Sequence, residues 1–142
     1  MTKELLQLAE LEGVAVEFYD FSPPINGIYF ADDGIPPAIG LARRLKKNIP
    51  LLRCVLGEEL GHHFTTVGDI IPKTYFSQQD RIGVSKAEFK ALRWAAVYLI
   101  PSREIHKAFE NGIVEVWELA EHFTVTQEMV KFRFELLSMS NR

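Results

Sequence analysis

The chain has one cysteine, no excess of positive charge and no apolar run long enough to cross a membrane. The single thiol, Cys54, cannot form an intrachain disulfide, and its place in an apolar segment indicates a small buried side chain rather than a nucleophile. A net charge of −3 argues against nucleic-acid or membrane-surface binding driven by overall charge. The first residues show no apolar signal segment, so we expect a soluble cytoplasmic protein.

Length and composition indicate one ordinary globular unit. The chain has 142 residues, of which 47% are apolar and 25% charged. This is enough for one domain with a proper core and too little for two, so we predict a single domain over residues 1–142.

The N-terminal third alternates between helix and strand patterns. Residues 3–12 repeat apolar side chains at helical spacing, and residues 14–21, 27–31 and 35–41 have the composition of strands. Because the Pro36–Pro37 pair cannot donate ladder hydrogen bonds, the third strand is predicted to lie at a sheet edge.

The remainder is mostly helical. Pro50 suits the first turn of a helix that runs to Phe64, and residues 65–83 are predicted to be mostly loop. Further helices are predicted over the following ranges: 85–100, 102–110, 114–123 and 127–138. The predicted fold class is α+β, with a small antiparallel N-terminal sheet followed by helices.

Three polar side chains project from neighbouring positions of the helix after Pro50. Glu58 and His62 are four residues apart, and Glu59 and His62 are three apart, so all three share one surface. Burying two carboxylates and an imidazole is costly unless a cation lies among them. The pattern differs from the zinc peptidase motif H-E-x-x-H only in Glu58, which stands where the first His should be.

In a zinc peptidase, Glu59 would be the general base and His62 a metal ligand. The alternative is a solvated Glu pair with an incidental His on an amphipathic helix. His63 lies within the apolar stripe. We interpret it as a core histidine or as one that contacts the metal ligands without binding the metal itself. Tyr29, Tyr75 and His63 are candidates for stabilising the oxyanion.

The third ligand should come from another helix, and Glu88 is the best candidate. It shares one helix face with Ala91 and Ala95, whose small side chains would let two helices approach closely. The competing interpretation is that Glu88 completes a capping box with Ser85. Weaker ligand candidates are Glu110, Asp69 and Asp80.

Two blocks together resemble one family. EELGHHFTT (residues 58–66) resembles the active-site helix of the ImmA/IrrE family of bacterial, phage and mobile-element metallopeptidases. E-x-x-A-x-x-W-A-x-x-x-L-I-P (residues 88–101) is similar to that family's E-x-x-A-x-x-F-A-x-x-L-L-x-P helix. The resemblance covers residues 14–101 and implies a zincin-like fold with His62 and Glu88 as ligands and Glu59 as base. Members of the family cleave phage or mobile-element repressors.

The C-terminal part, residues 102–142, includes a segment with the pattern of a helix-turn-helix over residues 118–130. Its second helix carries Lys131 and Arg133 but also Glu128 and Glu135, so its attraction for phosphate is weak. We therefore interpret it as a hairpin that packs on the core or on a partner rather than one that binds DNA.

The expected function is that of a metal-dependent endopeptidase that cleaves a phage or mobile-element repressor. Glu58, His62 and Glu88 together would hold Zn²⁺, with Mn²⁺ or another divalent ion as an alternative, and the site should lose its metal readily. The proline-marked strand over residues 35–41 offers an edge for an extended substrate. The rival function is a non-catalytic regulator that keeps the peptidase fold and binds a repressor or DNA through its tail.

Overall fold

A computed structural model of the chain describes residues 2–66, 74–77 and 86–140. In chain order the elements are α1 (Lys3–Leu11), β1 (Ala15–Tyr19), β2 (Gly27–Asp32), β3 (Ile35–Ala42), a 3-10 helix (Arg43–Lys47), α2 (Ile49–Thr66), β4 (Thr74–Ser77), α3 (Lys86–Leu99), α4 (Ser102–Glu110), α5 (Val116–Phe123) and α6 (Gln127–Ser140). The α+β class is confirmed. The predicted loop over residues 65–83 lies largely outside the described residues, although Thr65 and Thr66 end α2 and β4 is a strand.

The sheet is mixed, so the prediction of an antiparallel sheet is wrong. Its strand order is β1-β3-β2-β4, with β1 and β3 parallel and β2 antiparallel to both β3 and β4. A turn through Gly34, at a φ of +78°, joins β2 to β3. β3 lies between β2 and β1, and it runs antiparallel to β2 and parallel to β1.

β3 is therefore an interior strand, and its predicted place at the sheet edge is also wrong. Its pairing with β1 begins at Ala38, so β1 does not reach Pro36 and Pro37. On the other side, the register with β2 shifts between Phe30 and Asp32. The prolines thus lie in the one part of β3 where a missing N–H donor costs little.

The helix α2 is the centre of the molecule, and every residue from 52 to 63 is buried. One side faces the sheet, where a Cβ atom on Gly27 would lie 2.8 Å from Val55 Cγ1. Another side faces α3, where a Cβ atom on Gly61 would overlap the carbonyl oxygen of Ala91. The helix is thus buried all round, rather than along the single apolar side that its sequence indicates.

The hairpin of α5 and α6 packs on this core, as the sequence favoured. Arg53 of α2 donates from Nε to the carbonyl oxygen of Thr124, at 3.0 Å, in the turn between the two helices. Arg133 of α6 is 4% exposed, and it donates to the carbonyl oxygen of Ile100 at 2.7 Å and to Ser102 Oγ at 2.8 Å. Burial of Arg133 removes one of the two basic side chains that could have contacted DNA.

None of the described helices is long and apolar enough to span a membrane.

The contact between α2 and α3 makes a prediction for stability. Gly61→Ala should lower the free energy of unfolding by about 1–3 kcal/mol, the usual cost of overpacking, because the new methyl group meets the backbone of α3. Gly57→Ala is the matched control, since its methyl group would meet the flexible end of Leu99, 3.2 Å away. Both variants gain about 1 kcal/mol in helix propensity, which offsets the smaller packing cost at Gly57. Urea unfolding of both variants is the measurement, and equal stabilities would contradict the packing.

Candidate metal centre

The four polar side chains proposed as base and principal metal ligands are all buried. Glu58, Glu59 and His62 are each 1% exposed, and Glu88 is 5% exposed. Three carboxylates and an imidazole therefore lie in the interior between α2 and its neighbours. A donor set of this charge in a region of low dielectric favours a bound cation.

His62 and Glu88 face each other across the contact between α2 and α3. His62 Nε2 lies 3.4 Å from Glu88 Oε1. A strong hydrogen bond between charged groups is shorter, about 2.7–2.9 Å. Two ligand atoms that each lie about 2.0–2.1 Å from a tetrahedral zinc ion are about 3.4 Å apart. The separation therefore fits two ligands of one ion, and we conclude that this pair suits a metal.

The close approach of α2 and α3 brings His62 and Glu88 near each other. Gly61 precedes His62 and lies against the backbone of Ala91, one turn beyond Glu88. The predicted approach of the helices through small residues is thus confirmed. Glu88 directs its carboxylate towards α2, whereas the alternative partner for a capping box, Ser85, lies outside the described residues.

Glu59 lies on the side of α2 that faces the sheet. A Cβ atom on Gly27, the first residue of β2, would lie 3.3 Å from both Cγ and Oε2 of Glu59. The absence of a side chain at Gly27 therefore leaves room for this carboxylate. Glu59 is three residues before His62, so the two side chains project from adjacent turns of α2.

Glu58 is not brought together with the other two predicted ligands. Within the part of the chain that the structure describes, no three histidine, cysteine or carboxylate side chains are grouped closely enough to hold a metal ion. Glu58 instead lines a cavity together with Leu92 and Met129. His62 and Glu88 form a close pair, and coordination of a metal by His62, Glu88 and Glu58 stays a prediction.

His63 lies in the core, as expected. Its Nδ1 is 2.8 Å from the hydroxyl of Tyr29, and its Nε2 is 3.0 Å from Glu12 Oε1. Both ring nitrogens are thus engaged by neighbours on β2 and at the end of α1. Burial raises the pKa of Tyr29, which keeps its hydroxyl protonated. The side chain of the third oxyanion candidate, Tyr75, is outside the described residues.

The remaining candidates have ordinary surroundings. Glu110 is exposed at the end of α4, and Asp69 and Asp80 lie outside the described residues. Cys54 is buried as predicted, and burial raises the pKa of its thiol, which makes it a poor nucleophile. Sequence reasoning missed the role of Glu12, because its contact with His63 spans 51 residues and has no local signal.

A mixed sheet packs on a buried helix, and an imidazole and a carboxylate face each other across two helices, which defines an α+β protein with a candidate metal centre. The chain belongs to the Peptidase M78 family, since the profile described as the IrrE N-terminal-like domain matches residues 9–135. Comparison with curated proteins gave no match. The match extends beyond residues 14–101 into α6, so the hairpin is part of what the family profile covers.

The pairing of Glu88 with His62 predicts how metal binding responds to substitution. Glu88→Gln should weaken zinc binding at least about tenfold, because an amide is a much poorer zinc ligand than a carboxylate. Zinc affinity can be measured by competition with a chromogenic chelator. Glu110→Gln, the same change at an exposed site, is the control. If Glu88 only caps α3, glutamine can still cap, and zinc affinity should be unchanged.

The position of Glu58, one helical turn before His62, predicts the opposite response. Glu58→His should tighten zinc binding about tenfold or more, since imidazole is a better zinc ligand than carboxylate. Glu128→His is the control, because Glu128 lines the same cavity but is exposed. An affinity of Glu58→His no higher than that of the parent would show that position 58 does not face a metal.

Proposed function

We propose that this protein is a metal-dependent endopeptidase that cleaves a repressor protein of a phage or mobile element. The observation that carries the proposal is the buried pair of His62 and Glu88, 3.4 Å apart, in a chain of a peptidase family. A repressor acts on DNA in the cytoplasm, and we place the enzyme there as well.

In this proposal His62 and Glu88 hold a zinc ion, with Glu58 as third ligand. An ion held there would supply Lewis-acid activation of the scissile carbonyl and of a water molecule. Two carboxylates and one imidazole form a harder, more anionic set than two imidazoles and one carboxylate, so Mn²⁺ should compete with Zn²⁺. The same set should release its metal readily.

Glu59 acts as the general base. Its carboxylate is buried beside Gly27, where bulk water cannot compete for the proton. It accepts a proton from the attacking water at one of its oxygens and delivers that proton to the amine of the leaving group. His63, held by Tyr29 and Glu12, fixes the last turns of α2 against α1 and the sheet.

The substrate would add as an extended strand to β4 rather than to β3, which has neighbours on both sides. Among the described strands β1 and β4 are the two edges. The backbone of β4 pairs with β2 from Ala31 to Ile28, next to Gly27 and therefore next to Glu59. β1 is separated from β2 by β3, so β4 is the edge nearer to the proposed base.

A non-catalytic regulator is the second candidate, and Glu58 is the observation that favours it. Without the first His of the motif, and without a third ligand grouped with His62 and Glu88 in the described residues, a stable metal site would not form. Such a protein would bind a repressor through its surface. Metal content and proteolysis distinguish the two candidates.

If Glu59 is the base, Glu59→Gln should keep the metal while proteolysis drops by about 10²-fold or more. Cleavage of a panel of purified phage repressors, followed by intact-mass spectrometry with equal zinc loading, is the measurement. Glu118→Gln, a carboxylate in the first turn of α5, controls for the loss of one charge. Cleavage by Glu59→Gln at the parental rate would refute the assignment.

A further inference from the structure

A cavity of about 540 Å³ runs along the outer side of α3, and we call it the α3 groove. It is lined by the end of α2 and by one face of α3, with the residues Thr65, Lys90, Arg93, Trp94, Val97 and Tyr98. Glu88 directs its carboxylate towards α2, whereas Lys90 follows two residues later, about 200° further around the helix. The α3 groove is therefore separate from the candidate metal centre.

Aromatic rings form much of the apolar surface of the α3 groove. Trp94 stacks on Phe64, with ring centroids 4.8 Å apart, and on Tyr98, with centroids 5.0 Å apart. The interplanar angles are only 17° and 8°, so three nearly parallel rings link α2 to α3. Val97 extends this surface and is 43% exposed. The groove thus offers a rigid apolar surface that water covers in the free protein.

Two cations line the same groove. Lys90 and Arg93 are both exposed and stand three residues apart, so their side chains are neighbours on the surface of α3. Neither forms an ion pair with any residue in the described ranges. None of the described lining residues is acidic. In a chain with a net charge of −3, the groove is therefore a local site of uncompensated positive charge.

The end of the groove at Tyr98 adds a hydrogen-bond donor. Burial, and after it the charge of Glu4, raises the pKa of Tyr98, so its hydroxyl stays protonated. Glu4 itself is paired with Arg53, whose Nη1 lies 3.2 Å from Glu4 Oε1. The nearby carboxylate is thus already engaged and does not compete for Lys90 and Arg93.

These features together define the chemistry of a ligand. Two cations and a hydroxyl donor favour carboxylates, and the aromatic rings with Val97 favour an apolar group attached to them. The volume lies in the usual range of binding pockets, about 300–1,000 Å³. Tryptophan, tyrosine and arginine are also the residue types that dominate the binding energy of protein interfaces. An acidic and apolar peptide segment satisfies all of these requirements.

A nucleic acid satisfies them less well. Its bases bind to proteins by stacking on aromatic rings, and the stacking surface of Trp94 is already used by Phe64 and Tyr98. Its backbone would also bring many phosphates to a protein of net charge −3, with only two cations in the groove to receive them.

We propose that the α3 groove binds an acidic amphipathic segment of a partner protein. Carboxylates one helical turn apart in that segment pair with Lys90 and Arg93, and an apolar side chain lies against Trp94 and Val97. The inference goes beyond the proposed function and does not depend on it, because no residue of the groove belongs to the candidate metal centre.

Fluorescence of Trp94 measures this binding directly. The chain has two tryptophans, and Trp117 is 54% exposed on α5, so Trp117→Phe leaves Trp94 as the single indole. The probe is a short amidated peptide in which pairs of glutamates alternate with pairs of leucines. Its counterpart carries lysine in place of glutamate. The acidic peptide should change Trp94 emission in a saturable manner and the basic one should not. No response to the acidic peptide, or an equal response to both, would overturn the proposal.

Charge reversal tests the two cations in the same titration. Lys90→Glu combined with Arg93→Glu should weaken binding of the acidic peptide at least about tenfold. Arg103→Glu combined with Lys107→Glu is the matched control, because this exposed pair on α4 gives the same change in net charge away from the groove. Equal losses in the two double variants would show that binding follows net charge alone, and would refute the groove as the site.

A third variant tests the apolar part of the groove. Val97→Ser should weaken binding of the acidic peptide about threefold or more, since it removes exposed apolar surface that the ligand would cover. Val114→Ser, at a residue that is 52% exposed outside the groove, is the control and should have no effect. An unchanged affinity in Val97→Ser would contradict apolar contact. Binding of oligothymidylate as tightly as the acidic peptide would identify a nucleic-acid site and overturn the proposed partner.

Discussion

The distance between α2 and α3 is set at Gly61, where the backbone of one helix meets the backbone of the other without an intervening side chain. Such an approach needs a residue without Cβ on one side and a small residue on the other, here Ala91. It brings His62 and Glu88 to 3.4 Å from each other, which longer side chains in the interface would prevent. The candidate metal centre thus depends on a packing contact that has no polar side chain in it.

The same closely packed interior contains buried ionisable side chains. The interior around α2 contains Glu58, Glu59, His62 and Glu88, and a chain under selection for stability alone would replace such groups with apolar ones of similar volume. Their burial in the interior around α2 indicates function rather than stability. Contacts with the surrounding elements fix the position of α2. Arg53 ties it to the hairpin, and His63 ties it to β2 and to Glu12.

Much of this architecture could be predicted from local signals. Gly13 and Gly112, both at positive φ, end α1 and α4 where the sequence indicates, and Pro50 lies in the first turn of α2. The candidate site residues could be singled out because Glu59 and His62 share a helix and Glu88 shares its face with two alanines. The place of β3 was not readable, because strand order depends on pairing between segments far apart in sequence. Proline at positions 36 and 37 indicates only that part of a strand has a free side.

The burial of α2 on all sides was likewise beyond the sequence, since charged residues at positions 58 and 59 normally mark a solvated face. The same limit applies to Glu58, whose carboxylate is one turn from His62 and also lines a cavity beside α3 and α6. A local motif gives the spacing along one helix. It does not give the side-chain directions that packing against α3 and α6 imposes.

The central claim is that His62 and Glu88 are two ligands of one metal ion. It is tested most directly by anomalous diffraction at the zinc edge from crystals of the zinc-loaded protein. The account predicts one zinc ion per chain, about 2.0–2.2 Å from both His62 Nε2 and a Glu88 carboxylate oxygen. An ion bound elsewhere, or a His62–Glu88 pair that stays in direct contact with no ion beside it at saturating zinc, would contradict the account.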